Sequence, residues 1–232
     1  MKIIAHRGAS HDAPENTLKA FNFALDEGVD GIELDVRLCA TGEVVVIHDD
    51  TVNRTTSGKG RVRDISLEAL QELDAGDGET ISTLEEVLRE FAGRTRFFIE
   101  VKEAAAMLPA AELVSRLVDA KSYAPEQLVI ISFLHSELAA ANRVNATIPL
   151  GIGLSKHPYR LEDLARYTKA RYATVEYSLI TPAFLKEAGL LGLSVYAWTV
   201  NNPIEAVHLQ QLDVAGLITD EPARIKLSLA HD

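Results

Sequence analysis

Eight short runs rich in Val, Ile and aromatic residues recur along the chain, and segments with helical spacing separate most of them. One such segment, residues 17–25, has its apolar positions 18, 21, 24 and 25 on one helical face. Strands that alternate with helices indicate parallel strands joined by helical crossovers, and eight such units are the number in a closed barrel. The runs are KIIAH (2–6), GIELDV (31–36), FFIEV (97–101), LVIIS (128–132), PLGIGL (149–154), YATVEY (172–177), SVYAW (194–198) and AGLIT (215–219).

The sequence therefore predicts an α/β fold, a (β/α)8 TIM-type barrel that forms one domain over residues 1–232. Its main irregularity is segment 37–82, which we expect to be a small insertion between the second and third barrel strands. There, LCATGEVVVIHDD indicates a strand, a Thr-Gly turn and a second strand, followed by a Gly- and Asp-rich loop. Thr83 with Glu86 is a capping-box pattern that predicts the start of the next helix. A doubly wound open sheet is the alternative fold, and the strand count favours the barrel.

The composition argues against several classes of partner. With 34 acidic residues against 23 basic ones, the net charge of −11 opposes binding to nucleic acid and to anionic membrane surfaces. No apolar run approaches the roughly 18 residues of a membrane helix, and His6 and Arg7 interrupt the stretch that an export signal would need. The single cysteine, Cys39, fits a reducing compartment because it cannot form an internal disulfide. We therefore predict a cytoplasmic protein with a small-molecule substrate, whose oligomeric state the sequence leaves open.

Polar residues stand at the ends of the predicted strands. In a parallel barrel the active site lies at the carboxyl ends of the strands, because the strand-to-helix loops converge there. A charge that is buried without a partner is costly, so polar groups at these positions indicate a site. The residues are His6, Arg7, Glu33, Asp35, Glu100, Lys102, Ser132, Glu176, Trp198, Thr199 and Asp220.

Three of these residues are carboxylates on neighbouring strands. Side chains two positions apart in a strand point the same way, so Glu33 and Asp35 project together, and Glu100 projects with Lys102. Three adjacent carboxylates repel each other unless they are protonated or bridged by a cation, and an all-oxygen set suits Mg²⁺ or Ca²⁺ better than Zn²⁺. The pattern predicts one divalent cation. The alternative is that the three residues form separate salt bridges.

Two histidines and two fixed cations accompany the carboxylates. His6 ends the first strand and His48 follows the hairpin, so both could reach one mouth as an acid–base pair, although a lone histidine is more often structural. Three carboxylates with one divalent cation keep a net negative charge and would repel an anion. Arg7 and Lys102 supply the positive charge that an anionic substrate needs. This balance of charge points to a phosphate ester.

Eight stretches of the chain are distinctive when they occur together: AHRGASHDAPENTLKAF, GIELDVRL, VVIHDDTVNRTTSGKGRV, LDAG, TLEEVL, FFIEVK, YAWTVN and GLITDEP. In this order they resemble the glycerophosphodiester phosphodiesterase family, a group of metal-dependent (β/α)-barrel enzymes. The resemblance spans nearly the whole chain, and the segment after the second strand resembles the insertion of that family. The combination of HRG with PENT, E-x-D, HD and E-x-K is the specific part of the match.

The resemblance implies roles for the matching positions. Glu176 and Trp198 are further candidates for the substrate pocket, although Trp198 could equally close the core. Glu15 and Asn16 are expected to brace the first loop and the helix that follows it. The implied roles are catalysis for His6 and His48, metal ligation for Glu33, Asp35 and Glu100, and contact with the substrate phosphate for Arg7 and Lys102.

The predicted function is metal-dependent hydrolysis of glycerophosphodiesters, such as glycerophosphocholine or glycerophosphoethanolamine, to glycerol 3-phosphate and an alcohol. Two histidines would act as general acid and base, and the nucleophile would be water or the substrate 2-hydroxyl. A second hypothesis is a phospholipase D-like enzyme for lysophospholipids, which would need an exposed apolar rim. A third is a catalytically silent barrel that only binds phosphodiesters; the loss of either histidine would mark it.

Overall fold

Eight parallel strands close into a barrel in the computed structural model, which describes residues 1–158 and 160–230. The strands are β1 (Lys2–His6), β2 (Gly31–Leu38), β3 (Val44–Val46), β4 (Phe97–Val101), β5 (Leu128–Ser132), β6 (Leu150–Leu154), β7 (Tyr172–Glu176), β8 (Ser194–Trp198) and β9 (Gly216–Thr219). The barrel closes because β1 pairs in parallel with both β2 and β9, while β3 pairs antiparallel with β2 outside the ring. The predicted barrel is confirmed, and the open-sheet alternative is wrong.

The helices alternate with the barrel strands, and the predicted strand runs agree with the observed strands to within two residues. The largest difference is in β2, which continues to Leu38 because its last residues pair with β3. No helix in the described ranges is both long and apolar enough to cross a membrane. The helices are α1 (Leu18–Asp26), α2 (Leu67–Gln71), α3 (Leu84–Glu90), α4 (Ala104–Asp119), α5 (His135–Val144), α6 (Leu161–Thr168), α7 (Pro182–Leu190), α8 (Pro203–Gln211) and α9 (Pro222–Leu229).

The interior of the barrel is apolar below and polar above. The apolar cluster inside it consists of Ile4, Phe98, Val129, Ile131, Tyr196 and Ile218. Because alternate residues of a strand share a face, the residues two positions further along point to the same interior. They include His6, Glu100, Phe133, Trp198 and Asp220. Strand periodicity alone therefore places polar groups above an apolar floor, at the carboxyl end of the barrel.

Helix α1 holds the loop that follows β1 in place. The helix begins where the Thr17 hydroxyl accepts a hydrogen bond from the backbone N–H of Ala20. Its buried Phe21 packs edge-on against Phe91 and Phe97, with ring centroids 5.9 and 6.3 Å apart. Because Phe97 begins β4, this aromatic contact fixes α1 against the barrel wall. The capping box predicted for Thr83 is also present, at the start of α3.

Between β2 and β4 the chain leaves the ring through a hairpin whose second strand is β3. The remainder was expected to be loop, but it contains a 3₁₀ turn at Val62–Asp64 and helix α2. The Ser66 side chain caps α2 by accepting a hydrogen bond from the N–H of Ala69. The sequence did not predict this helix, because it is only five residues long and glycines and aspartates flank it. The organisation as one domain with an insertion at about 37–82 stays a prediction. The apolar cluster of this segment is Cys39, Val45, Ile47, Val52, Val62, Leu70 and Ile81.

Candidate active site

The strand register brings the three predicted carboxylates together. Glu33 and Asp35 lie two residues apart on β2, and Asp35 pairs across to Glu100 on β4. Oxygen atoms of the three side chains lie within 4.8 Å of one another. His6 on β1 lies opposite Glu33 in the neighbouring register. The barrel thus places one imidazole and three carboxylates on adjacent strands, as the alternation of side chains predicts.

The carboxylate cluster fits a hard divalent cation. Glu33 and Asp35 are only 2% and 1% exposed, yet Glu33 Oε1 and Asp35 Oδ1 have no hydrogen-bond partner among the residues that the structure describes. Burial, and then the charges of Asp35 and Glu100, raise the pKa of Glu33 well above its ordinary value. Burial and Asp35 also raise the pKa of Glu100. Oxygen atoms that are buried, crowded and unpaired are the ligands that Mg²⁺ or Ca²⁺ would satisfy.

Arg7 and Lys102 lie directly against these carboxylates. Arg7 Nε is 3.1 Å from Asp35 Oδ2, and the Arg7 backbone N–H donates to Glu33 Oε2 at 3.1 Å. Lys102 Nζ donates to Glu100 Oε1 at 2.5 Å and lies 3.6 Å from Asp35 Oδ1. Burial would lower the pKa of Lys102, but Glu100 and Asp35 outweigh burial and raise it. Both cations therefore stay charged against the carboxylate cluster.

The loop after β1 is folded tightly enough to aim Arg7 at this cluster. Arg7 and Gly8 have positive φ angles of 57° and 85°. A Cβ atom on Gly8 would lie 2.7 Å from the backbone of Ala20 in α1, so glycine is required for this close approach. Asn16 closes the loop, since its N–H donates to the Arg7 carbonyl at 3.0 Å. Loop and helix together position the guanidinium.

His6 is oriented by an aspartate from the other end of the chain. His6 Nδ1 and Asp220 Oδ1 are 2.6 Å apart. Burial would raise the pKa of Asp220, but hydrogen bonding to His6 and to two further donors lowers it to about 2. Because an ionised carboxylate only accepts hydrogen bonds, Nδ1 of His6 is the donor. Its Nε2 makes no hydrogen bond to the described residues and lies 4.0 Å from Glu33 Oε2.

His48 is also oriented by an aspartate, in this case the next residue in the sequence. His48 Nδ1 lies 2.7 Å from Asp49 Oδ1. Hydrogen bonds from Arg54, and then the bond from His48, hold the pKa of Asp49 far below its ordinary value despite partial burial. The ionised Asp49 accepts the Nδ1 proton, so Nε2 of His48 is also free. An aspartate thus fixes each imidazole in the tautomer that leaves Nε2 available.

These groups surround one cavity of about 250 Å³ at the carboxyl end of the barrel. Six of the seven main predicted site residues line it, and Asp35 lies just behind it against Arg7 and Lys102. One wall is apolar, because the Phe133 and Trp198 rings meet edge-on with centroids 5.6 Å apart. The lining residues are His6, Arg7, Glu33, His48, Glu100, Lys102, Ile131, Phe133, Thr174, Trp198, Thr199 and Ile218.

The two pocket candidates Trp198 and Glu176 differ in position. They pair across β8 and β7, but Trp198 lines the cavity and Glu176 does not belong to its lining in the described residues. Glu176 instead accepts a hydrogen bond from the Ser178 hydroxyl. Trp198 Nε1 is buried and has no partner among the described residues. A contact between either side chain and substrate stays a prediction.

Three supporting residues received no such role from the sequence. Asn16 was expected only to brace the first loop, but its Nδ2 donates to Asp35 Oδ2 at 2.9 Å and its Oδ1 accepts from the Asp35 N–H at 3.2 Å. Asp220 was noted only as a polar strand end, and Asp49 appeared only as part of the HD motif, without a role of its own. The signals were present, because Asp49 directly follows His48 and Asp220 directly follows β9, beside β1.

Comparison with known proteins gives consistent results. The profile of the Glycerophosphoryl diester phosphodiesterase family matches residues 6–224. A glycerophosphodiester phosphodiesterase of Caldanaerobacter subterraneus subsp. tengcongensis is 37% identical over an alignment of 235 residues that covers 95% of this chain and 94% of that protein. An Oleispira antarctica phosphodiesterase, solved in complex with the product sn-glycerol-3-phosphate, superposes with a TM-score of 0.90 at 26% identity, covering 99% of this chain and 97% of that chain. A glycerophosphodiester phosphodiesterase from Agrobacterium tumefaciens str. C58 gives a TM-score of 0.86 at 26% identity, covering 98% and 99%.

Proposed function

The chain belongs to the glycerophosphoryl diester phosphodiesterase family, and from that premise we propose that it hydrolyses glycerophosphodiesters in a reaction that requires one divalent cation. The products would be glycerol 3-phosphate and an alcohol such as choline or ethanolamine. The observation that supports this proposal is the meeting of three carboxylates, two cationic side chains and two aspartate-held imidazoles around one cavity. Both histidines are present, so the mark of a silent binding protein is missing.

Glu33, Asp35 and Glu100 are the residues that would hold the cation. When bound, Mg²⁺ or Ca²⁺ supplies Lewis-acid polarisation of the phosphoryl group. Arg7 and Lys102 would bind the non-bridging phosphate oxygens, because both reach the carboxylate cluster from the cavity side. They also offset the negative charge of the carboxylates, which would otherwise repel a phosphodiester.

The two histidines would carry the protons. When the imidazole is neutral, the Nδ1–H tautomer favoured by Asp220 and Asp49 leaves Nε2 as the atom that can accept a proton from the nucleophile. The other imidazole, once protonated, can donate to the departing alkoxide. The arrangement accommodates either assignment of acid and base, and either water or the substrate 2-hydroxyl as nucleophile. We propose division of labour between His6 and His48, not a specific assignment.

A substrate panel tests the proposed function. The purified protein, stripped of metal, is assayed for release of glycerol 3-phosphate from glycerophosphocholine, glycerophosphoethanolamine and bis-(4-nitrophenyl) phosphate, with Mg²⁺ or Ca²⁺ added back. We expect similar rates on the two glycerol esters and a poor rate on the ester that lacks vicinal hydroxyls. Equal rates on all three would indicate a generalist phosphodiesterase. Absence of glycerol 3-phosphate release with every metal would refute the proposal.

A second candidate substrate class is the lysophospholipids, and one observation favours it. A groove of about 620 Å³ adjoins the cavity and shares Phe133 with it. Leu154, Leu164 and Tyr167 line this groove, so an apolar chain could rest there. Assay of lysophosphatidylcholine beside glycerophosphocholine separates the two candidates, because only the lysophospholipid presents such a chain. Preference for lysophosphatidylcholine, lost on substitution of Tyr167 by Ser, would make it the better account.

The cellular location and the partners of the protein are also proposals. We propose a cytoplasmic enzyme, because the single cysteine, Cys39, fits a reducing compartment. We propose that it has no nucleic-acid or membrane partner, because its net charge of −11 opposes binding to phosphate backbones and anionic lipid surfaces. The product complex of the Oleispira antarctica phosphodiesterase supports a small-molecule substrate for this chain. Size-exclusion chromatography with light scattering would determine the oligomeric state.

A further inference from the structure

Arg54 joins two parts of the site that come from different segments of the chain. We propose that Arg54 is a positioning residue that holds His48 in register with Arg7, an inference that rests on the proposed function. Arg7 belongs to the loop after β1, whereas His48 and Arg54 belong to segment 37–82, which leaves the ring between β2 and β4 and is called the excursion below. Lys19 of α1 also bonds to Asp77 and Glu79 of this segment, but the contact through Arg54 is the one that leads to the His48 ring.

The connection consists of two bidentate pairs made by one guanidinium. Arg54 Nη1 and Nη2 donate to the two carboxylate oxygens of Glu15 at 2.7 and 2.9 Å. Arg54 Nε and Nη2 donate to the two oxygens of Asp49 at 2.7 and 2.9 Å. Glu15 Oε1 also accepts from Arg7 Nη1 at 2.8 Å, and Asp49 Oδ1 is the partner of His48. An unbroken chain of charged hydrogen bonds therefore runs from Arg7 to His48.

The contacts of Arg54 differ from those of an ordinary surface ion pair. An exposed pair contributes little to stability, and the Arg54 side chain is 48% exposed. Its two acceptors are partly buried, however, with Glu15 at 20% and Asp49 at 25% exposure, and each acceptor also binds a group of the site. Only a planar guanidinium presents donors in two directions at fixed angles. We therefore expect a large effect on turnover with a small effect on stability.

The effect should fall on His48 more than on Arg7. Arg7 keeps a second anchor, because its Nε lies 3.1 Å from Asp35 Oδ2. Among the described residues, the His48 ring has one hydrogen-bonding partner, Asp49. Without Arg54, Asp49 loses two of its donors and can rotate, so the imidazole is no longer held. Because a misplaced imidazole slows proton transfer, we expect the substitution to lower kcat and to leave KM nearly unchanged.

Three variants test the proposal: Arg54→Ala, Arg54→Lys and the control Arg63→Ala. Arg63 lies in the same excursion, is 65% exposed, and approaches Asp64 only to 3.8 Å. With glycerophosphocholine, we expect kcat to fall about 10- to 100-fold in both Arg54 variants, since a displacement of about 1 Å costs up to about 10²-fold. KM should stay within about threefold. Metal affinity by calorimetry should be unchanged, because the three carboxylates are untouched.

Two measurements separate positioning from general damage. Guanidinium ion, added well below unfolding concentrations, should restore part of kcat to Arg54→Ala and nothing to Arg63→Ala. In ¹⁵N-labelled protein, the imidazole signals of His48 should shift or broaden in Arg54→Ala, while those of His6, held by Asp220, should not. The imidazole spectra need no turnover, so they test Arg54 even if the substrate panel fails. If Arg54→Ala kept kcat within about twofold and left the His48 signals unchanged, or if kcat fell only in step with metal affinity, the proposal would be overturned.

Discussion

His6 and His48 each turn Nδ1 toward an aspartate, so the two imidazoles of the site are prepared in the same tautomer. They differ in what holds the aspartate. Asp220 accepts further hydrogen bonds from Ser10 and Asn201, whereas Asp49 depends on Arg54. At the residue scale, each histidine that we propose to transfer protons is therefore a unit of imidazole and carboxylate, and turnover should be sensitive to either member.

Substitution of each histidine on two substrates should reveal the general acid. An alkoxide leaving group needs a proton in the transition state, a contribution of about 10²- to 10⁴-fold, whereas a nitrophenolate needs little help. His6→Ala and His48→Ala are assayed on glycerophosphocholine and on the nitrophenyl ester of glycerol 3-phosphate. The variant that loses activity only on glycerophosphocholine lacks the acid. Equal losses on both substrates in both variants would instead indicate that the histidines position metal or phosphate.

Asp220→Asn should lower kcat by about 10²- to 10⁴-fold with little change in KM, because the amide can donate to Nδ1 and so favour the wrong tautomer. The pH dependence of stability checks the ionisation of Asp220. The pKa of Asp220 is lowered from 3.8 to about 2, so its contribution to the unfolding free energy is complete above about pH 4 and is lost as the pH falls toward 2. Urea unfolding of the wild type and of Asp220→Asn should therefore converge between pH 4 and 2. A constant difference across that range would contradict this assignment.

At the element scale, the loop between β1 and α1 decides where Arg7 and Asn16 point. Both residues have positive φ angles, 57° and 59°, and Gly8 lies against α1. The helix is fixed by its aromatic contacts, so the loop has little freedom to adjust. The geometry of the site at β1 and β2 thus depends on packing between α1 and the barrel wall.

Gly8→Ala should destabilise the protein by about 2 to 4 kcal/mol, combining a left-handed backbone at a non-glycine residue with overpacking against Ala20. Gly42→Ala is the matched control, because Gly42 has a φ angle of 98° but its Cβ would meet nothing within 4 Å. The control should cost only about 1 to 2 kcal/mol, which is the backbone part. Unfolding free energies from urea titrations give both values. Equal losses in the two variants would mean that α1 yields to the extra methyl group.

At the scale of the whole molecule, the barrel keeps its apolar floor and its charged mouth apart along the strand axis. Below the mouth, apolar side chains fill the barrel interior, where the Phe98 and Tyr196 rings pack with centroids 4.9 Å apart. The buried carboxylates above it are a cost to the metal-free fold, since burial and mutual repulsion raise the pKa of Glu33 and Glu100. Metal binding should therefore stabilise the entire barrel as well as assemble the site.

Removal of metal should abolish turnover and lower the thermal midpoint. A cation present at about 100 times its Kd adds about 2.7 kcal/mol to the unfolding free energy. Calorimetry should also show that a non-hydrolysable phosphodiester binds much more weakly to the metal-free protein. Glu33→Ala should reproduce the loss of metal binding without unfolding, while Glu126→Gln, exposed before β5, should behave as the wild type. Unchanged phosphodiester affinity after chelation would argue against a shared site.

In the metal-free protein, the stability linked to Glu33 should depend on pH in the opposite direction from the stability linked to Asp220. Because the folded pKa of Glu33 lies well above its ordinary value of 4.5, the stability linked to this group is present at low pH and is lost as the pH rises through the folded pKa. Glu33→Gln should remove that loss, since glutamine never ionises. Unfolding free energies of the two metal-free proteins, measured from pH 4 to 8, should therefore diverge as the pH rises. Parallel curves would contradict the raised pKa.

Local sequence determined the barrel and most of the candidate site. The recurrence of short apolar runs of strand length along the chain predicts the barrel. Because alternate residues of a strand share a face, the inward face that contains Ile4 and Phe98 also contains His6 and Glu100, and this predicts most of the candidate site. Only the tertiary structure brought Asp220 to His6, 214 residues away, because that contact depends on β9 closing against β1. Closure of the barrel and packing of side chains depend on residues that are far apart in the sequence. The hydrogen bonds of Arg54 depend on them in the same way, because no local periodicity relates the excursion to the first loop.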